Sequence, residues 1–505
     1  MPTHERPLGV LMSNFGSPRA AGTPEIHGET RDTRTTGAAT SAAPGKAAQT
    51  DFMREPIPRK VYLVAVLAGL SGLLYGFDSG AISGALPLLE GQFDLTASQT
   101  GLITSLLLYG ALPSIVVSTI AARRFDRRQI LLVGGVIFIL GSLFCAIVSG
   151  PVGLMAARFF LGFGIGIANM FGLIYLSELA PTRVRGLLTG LYQLAVNVGI
   201  LAAYAVGDIF HSTPDGWRWM LGLGVIPAVI FFVGMFIAPP SPRWLMMRGR
   251  SRDALHVLRT MRGGEEFAAK EIQEIEEVLD RPTKGLGGVL SDARKPLTIL
   301  AILTFFQVWT GINAVVYYAP IIFKDVEGLG NNPGAVANYG VGTALVISTA
   351  IALPLIDKMG RVKMLAISMA GQAVAMVVLT FFAESGWIAV AAVFVYTFSF
   401  GFGLGPVFWL YVPEILPLQT RAIGTGAITF TQYLLNATFA LVFPMLLAGM
   451  GPWIFMVFAV LSVAGTAYTV LRVPETKGRS LEEIEEEIFG EVKSLTDKQT
   501  AGSNS

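Results

Sequence analysis

The sequence predicts an all-α membrane protein of twelve transmembrane helices arranged as two pseudo-symmetric six-helix halves. Three observations lead there. The 505-residue chain is 52% hydrophobic and only 14% charged, with a mean hydropathy of +0.59. No soluble protein of this size hides so much apolar surface, so lipid is the solvent for most of it. About twelve apolar segments reach the ~20 residues that a helix needs to cross a bilayer. Finally, the chain repeats itself: Glu178, Pro181 and Arg185 in ELAPTRVRG return as Glu414, Pro417 and Arg421 in EILPLQTRA, 236 positions later. A second echo joins Gly76-Phe77-Asp78 to Gly311-Ile312-Asn313. Two similar polytopic halves with ionisable residues placed alike are the signature of a transporter whose halves rock about a central site.

The elements follow in order. Residues 1–59 are rich in Gly, Ala, Thr and Pro, lack an apolar period, and read as a disordered cytoplasmic tail in which Met53 is a second candidate start. The N-terminus lacks the basic, apolar and small-residue series of a cleavable signal peptide. The first half, 60–240, carries spans near 61–89, 100–120, 130–149, 152–178, 186–207 and 219–238. Segment 241–296 is polar, carries both charge signs and a helical EIQEIEEVL pattern, and reads as a cytoplasmic helical linker. The second half, 297–473, carries spans near 297–323, 338–356, 363–382, 387–412, 422–447 and 452–472. The tail 474–505 ends in an acidic LEEIEEEIF helix. Cys145 is the only cysteine, which excludes an intrachain disulfide.

Lys/Arg counts in the short loops set the orientation. Loops 121–129, 181–186, 357–363 and 414–421 hold ten, against only Arg218 and Lys324 opposite. That places the first set, both termini and the linker in the cytoplasm of a multi-pass cell-membrane protein.

The segments GFDSGAISGAL (76–86), ARFFLGFGIG (157–166), YLSELAPTRVRG (175–186), SPRWL (241–245), FQVWTGINAVVYYAP (306–320), DKMGR (357–361), GPVFWLYVPEILP (405–417) and PETKGRS (474–480) stand in series. Over roughly residues 60 to 490 the chain resembles the sugar porter branch of the major facilitator superfamily. The resemblance implies twelve helices, alternating access and transport of a monosaccharide or polyol. The chain departs from the family pattern in places. Val308 replaces the second of two consecutive glutamines and Leu345 an asparagine. Leu173 stands for a proline and Pro240 for a glutamate. Arg123 and Asp126 alter the ARRFDRR loop.

Asp78 interrupts the first apolar span. A carboxylate in lipid costs several kcal/mol unless paired or solvated, so an intramembrane charge points to function. At 1.5 Å per residue Asp78 lies roughly 16 Å, and Arg158 roughly 10 Å, below the outer ends of their spans, which lets them pair. In proton-coupled sugar porters a carboxylate and an arginine stand at these positions. A carboxyl that is protonated alone and ionised beside arginine couples proton entry to conformational change. The plainer reading is a static ion pair or a capped helix break.

Sugar hydroxyls both donate and accept, so their site calls for amides and aromatic faces. Gln193, Gln307, Asn313, Gln432 and Asn436 supply the amides; Trp409 and Tyr433 supply faces to stack on or cap a ring. Each matches a sugar-contacting position of the family, while any single amide also serves as glue between helices. Glu178, Arg185, Asp357, Arg361, Glu414 and Arg421 sit at cytoplasmic helix ends. They read as a gate of ion pairs across the two halves, Glu178 and Glu414 each meeting Arg185 or Arg421 of its own or the other half to hold the inside shut in the outward-open state, or as ordinary positive-inside charge. Gly401, Gly403, Gly405 and Pro406 mark the tenth span as a hinge or a tight packing seam.

Three functions follow: proton-coupled sugar or polyol symport, passive facilitation by the same fold, and, ranked last, a sugar sensor. With four histidines and one cysteine, the sequence offers no cluster of nucleophile, base and acid for an enzyme. No cofactor or metal is expected. The expected partners are a small sugar or polyol, protons and the bilayer, with no nucleic acid, around a monomer.

Overall fold

The computed structural model describes residues 58–180, 185–262, 264–280, 293–323, 332–417 and 421–478, all within one compact unit, Phe52–Ser505. The expected N-terminal tail up to residue 57, the acidic C-terminal helix and Lys324 lie outside the described residues. Twelve helical stretches are long and apolar enough to cross a membrane. They are α1 (Arg59–Phe93), α2 (Ala97–Ala121), α3 (Arg127–Ile147), α4 (Pro151–Leu179), α5 (Arg185–Phe210), α6 (Gly216–Ile237), α7 (Arg294–Ile322), α8 (Pro333–Ala352), α9 (Arg361–Phe382), α10 (Gly386–Ile415), α11 (Arg421–Met450) and α12 (Trp453–Arg472). The described residues contain no strand. Most helices overrun the expected spans by a few residues. Hydropathy marks the hydrocarbon, whereas a helix continues into the polar interface until a cap stops it.

The halves repeat in packing as well as in sequence. In the first, α1 packs on α5, α2 on α4 and α3 on α6; in the second, α7 packs on α11, α8 on α10 and α9 on α12. The two largest seams between the halves are α2 with α11 and α5 with α8, and α1 also meets the second part of α7. Helices in lipid associate through close backbone approach rather than a hydrophobic drive. Gly72, Gly76, Gly80 and Gly84 recur every fourth residue on α1. A Cβ at Gly76 would stand 1.9 Å from the Val196 carbonyl oxygen of α5. Gly101 brings α2 against Leu441 of α11 in the same way, where a Cβ would stand 2.2 Å from the carbonyl oxygen.

Between the halves lie linker helices Pro242–Met247, Ser251–Arg262 and Glu265–Asp280; the last contains the expected EIQEIEEVL helix. They are fastened to the first half. The buried Arg262 donates to Leu179 O at 2.7 Å and Ala180 O at 3.4 Å, closing the end of α4, and pairs with Glu271. Exposed Trp219, Trp387 and Trp453 stand near the starts of α6, α10 and α12, at the end opposite the arginine-rich loops. Indole rings favour that depth, where one edge is wet.

Candidate functional site

Asp78 and Arg158 meet as the sequence predicts. Arg158 Nη1 donates to Asp78 Oδ1 at 2.6 Å, and both side chains are buried, 1% and 4% exposed. Arg158 Nε also donates to Ile103 O at 3.4 Å. The second carboxylate oxygen, Asp78 Oδ2, has no hydrogen-bond partner. The pair is therefore satisfied on one side only: the carboxylate is held by arginine yet keeps an oxygen able to take a proton.

Around mid-depth a cluster of hydroxyls and amides spans both halves. Asn436 Nδ2 of α11 lies 3.5 Å from the hydroxyls of Tyr75 (α1) and Tyr317 (α7), which lie 3.5 Å from each other. Asn169 of α4 donates to the Tyr433 hydroxyl at 2.5 Å and accepts from Tyr192. The Tyr75 and Tyr433 rings lie 6.4 Å apart. Gln193 Nε2 donates to Asn197 Oδ1 at 3.4 Å, and Asn197 crosses to α8 through Thr349 Oγ1 at 2.8 Å and Leu345 O at 3.2 Å. Gln307 and Gln432 are buried; Asn313 and Trp409 are half-buried. Gln307 Oε1 and Asn436 Oδ1 lack partners, two buried acceptors in a region of donors and ring faces.

The second half breaks two of its helices beside these residues. α7 runs as Arg294–Trp309 and Ile312–Ile322, divided at Gly311, whose φ of 104° suits only glycine. The carbonyl of Thr310 at that break accepts from the Tyr396 hydroxyl at 3.0 Å. α10 divides at Gly403 into Gly386–Phe402 and Leu404–Ile415. Ser368 of α9 braces this break, accepting from Leu404 N at 3.0 Å and donating to Ser399 O at 2.7 Å. The glycines serve packing too: a Cβ at Gly403 would stand 2.4 Å from Met364 O. Broken helices in lipid persist only when neighbours satisfy the freed backbone groups, and both breaks meet that demand.

At the arginine-rich end the two repeated glutamates are held alike. Glu178 accepts from Arg127 at 3.2 Å and from Ser241 Oγ at 2.5 Å. Glu414 accepts from Arg361 at 2.9 Å and from Thr476 Oγ1 at 2.6 Å. Tyr175 OH binds Pro239 O, and Tyr411 OH binds Pro474 O, at matching places. Both glutamates thus pair within their own half. Arg361 also reaches Asp357 at 3.2 Å; Arg421 donates to Leu416 O at 3.3 Å; the Arg185 side chain lies outside the described residues. Asp126, in the altered ARRFDRR loop, accepts from Ser241 N at 3.1 Å. Burial pushes its carboxyl above the usual carboxylate range, with that backbone donor pulling against it.

Over residues 64–488 the sequence matches the family described as sugar (and other) transporter. The chain belongs to this family. It is a multi-pass cell-membrane protein of the sugar porter branch of the major facilitator superfamily. The arabinose-proton symporter of Bacillus subtilis (strain 168) is 36% identical over 439 residues, covering 84% of this chain and 94% of that protein. The glucose transporter GlcP of Staphylococcus epidermidis is 35% identical over 436 residues, covering 85% and 97%. Among solved structures, the major facilitator superfamily proton:xylose symporter XylE, bound to 6-bromo-6-deoxy-D-glucose, aligns with a TM-score of 0.74 at 29% identity, covering 84% of this chain and 98% of that one.

Where the sugar porter pattern has an asparagine, this chain has the buried Leu345. Asn197 bonds to the Leu345 backbone oxygen, which any residue supplies. Val308 is fully buried and packs in the core. Sequence reasoning missed Tyr75, Asn169, Tyr192, Asn197 and Tyr317 in the cluster, and Arg127, Ser241 and Thr476 at the glutamates. The last two sit in SPRWL and PETKGRS, segments that carried the resemblance without a role.

Proposed function

We propose that the protein carries a monosaccharide or polyol across the membrane by alternating access in symport with protons, as a transporter rather than an enzyme. The observation that carries this reading is the buried Asp78–Arg158 pair with its free carboxylate oxygen. With Asp78 ionised, the pair closes. With a proton on Oδ2, the attraction to Arg158 falls away and α1 can part from α4. Proton binding thereby biases which conformation the halves adopt. The names of the relatives agree: one is an arabinose-proton symporter and one solved neighbour a proton:xylose symporter.

Gln193, Gln307, Asn313, Gln432 and Asn436 bind substrate hydroxyls, with Trp409 and Tyr433 covering the ring. Free acceptors on Gln307 and Asn436 suit hydroxyl donors. Glu178, Arg185, Asp357, Arg361, Glu414 and Arg421 form the inner gate, a charge network at the helix ends that biases the two states. The excess of arginine there turns that end, the 241–296 linker and both termini toward the cytoplasm. The carrier works as a monomer in the bilayer. Away from the arginine-rich end, Ser83–Asn338 at 3.3 Å and Tyr204–Val316 O at 2.8 Å bond one half to the other.

The test is purified protein in liposomes filled with a pH-sensitive dye. An inward sugar gradient, tried with D-glucose, D-galactose, D-xylose, L-arabinose and myo-inositol, is expected to acidify the lumen for at least one of them. Sugar movement with no proton movement would instead make the protein a passive facilitator.

A further inference from the structure

We infer that Asn169 is a coupling residue, a strut that keeps the Tyr433 hydroxyl from the sugar until Asp78 takes a proton. This rests on the symport reading above, in which Tyr433 contacts the sugar. Asn169 stands on α4, which runs unbroken from Pro151 to Leu179 and also carries Arg158. Positions 158 and 169 lie about three helical turns apart, so the two side chains share one face of one rod. Arg158 ties that rod to α1 through Asp78 at 2.6 Å. Asn169 ties it to α11 of the other half, donating to the Tyr433 hydroxyl at 2.5 Å, while its own carbonyl accepts from Tyr192 of α5. Both tyrosines are buried. The other helix of the charge pair, α1, reaches the same stretch of α11 more loosely, with the Tyr75 hydroxyl 3.5 Å from Asn436 Nδ2. Of these two links from the pair's helices to α11, the one through Asn169 is the tighter.

A phenolic hydroxyl both accepts and donates. The Asn169 amide occupies the accepting side of Tyr433 and turns that hydroxyl toward α4. A sugar hydroxyl arriving as a donor therefore competes with Asn169. While Asp78 is ionised, the pair holds α4 in place and Asn169 keeps its hold. Once Asp78 Oδ2 carries a proton, α4 parts from α1, Asn169 withdraws and Tyr433 turns to the sugar. Proton and sugar thus favour each other's binding, as symport requires. The other ionisable groups are few. Cys145 of α3 and Tyr317 and Tyr318 of α7 stand around the pair. Glu90 lies farther out on α1, bonded to Thr100 at 2.9 Å. At the inner end of α4, Glu178 pairs with Arg127 and Arg262 with Glu271. Thiols and phenols ordinarily ionise above about pH 8, which leaves the carboxyls; Asp78→Asn singles out Asp78.

The experiment is calorimetric titration of the purified protein, at about pH 5 and about pH 8, with the sugar of the panel above that the parent moves fastest. The parent is expected to bind about fivefold tighter, or more, at the lower pH. In Asn169→Leu the ratio is expected to fall below about twofold, and to do so through tighter binding at the higher pH. Asp78→Asn should flatten the ratio in the same way. Asn169→Gln, which keeps the amide, should bring part of it back. An Asn169→Leu protein that keeps the parent's ratio overturns the proposal. So does equal weakening at both pH values, which would make Asn169 a packing residue. A parent whose sugar affinity ignores pH overturns it as well, and the dye assay above then judges symport on its own.

Discussion

The two halves share a fold but spend their exceptions differently. In the first, α1 and α4 run unbroken and carry a buried charge pair; in the second, the matching helices α7 and α10 are broken and carry none. Asp78 and Arg158 are separated by 80 residues, and the same separation in the second half falls on Asn313 and Val393. Val393 is buried and apolar. A charge pair between continuous helices acts as a switch, because breaking it frees one rigid rod from another. A glycine break gives a local bend and presents backbone and amide groups at mid-depth, which is what a neutral polyhydroxy ligand needs. Under the proposed function the charge pair of the first half supplies the energy input, while four of the five substrate amides, Gln307, Asn313, Gln432 and Asn436, and both helix breaks lie in the second.

The largest expected effect comes from removing one partner of the pair. Arg158→Val leaves a buried carboxylate without its cation, a loss of about 3–5 kcal/mol where the group stays charged. The detergent melting temperature should drop sharply. The double change Asp78→Asn with Arg158→Val gives the first half the residues of the second and should recover most of the melting temperature. A double variant as unstable as the single one would mean that the two sites are not equivalent.

The glycines come next. Gly76→Ala forces a Cβ toward the Val196 carbonyl, 1.9 Å away, so α1 and α5 must separate. Gly311→Ala adds strain at φ 104°, on the order of 1–2 kcal/mol, and its Cβ meets the Phe458 ring at 2.6 Å. Melting should show Gly76→Ala as the more damaging, because backbone yields less than a side chain. The reverse order would make the α7 break the stiffer element.

Substrate amides should cost less. Alanine at Gln193, Gln307 or Asn313 is expected to weaken sugar binding in calorimetric titration by about 1–3 kcal/mol while the fold survives. Unchanged affinity in all three would remove them from the site. Smallest of all, Glu414→Gln at the inner end should change binding hardly at all. Its pairing with the half-buried Arg361 at the surface is worth at most ~1 kcal/mol. Labelling of a cysteine placed on the cytoplasmic side, in a Cys145-free background, should show altered access; unchanged labelling and transport would leave Glu414 as a local clamp.

Much of this was legible in the sequence because lipid imposes hard rules. Span lengths, the duplicated halves and the charges at positions 78 and 158 stand out against apolar runs. The glycine cluster around Gly403 announced the α10 break, whereas a single Gly311 inside an apolar span did not announce the α7 break. Tyr75, Asn169 and Asn197 were invisible for a different reason. One polar residue in an apolar helix does not say which neighbour it faces, and their partners Asn436, Tyr433 and Thr349 lie in the other half. Arg127 took the place expected of Arg185 or Arg421 at Glu178 because the α3–α4 packing sets the partner, not the repeat alone.

The central claim is that Asp78 couples protons to sugar movement. The most direct measurement compares Asp78→Asn with the parent in two assays on the same liposomes: accumulation driven by a pH gradient, and exchange at equal sugar concentrations. The account predicts that accumulation is abolished while exchange persists. An Asp78→Asn protein that still concentrates sugar like the parent would contradict it.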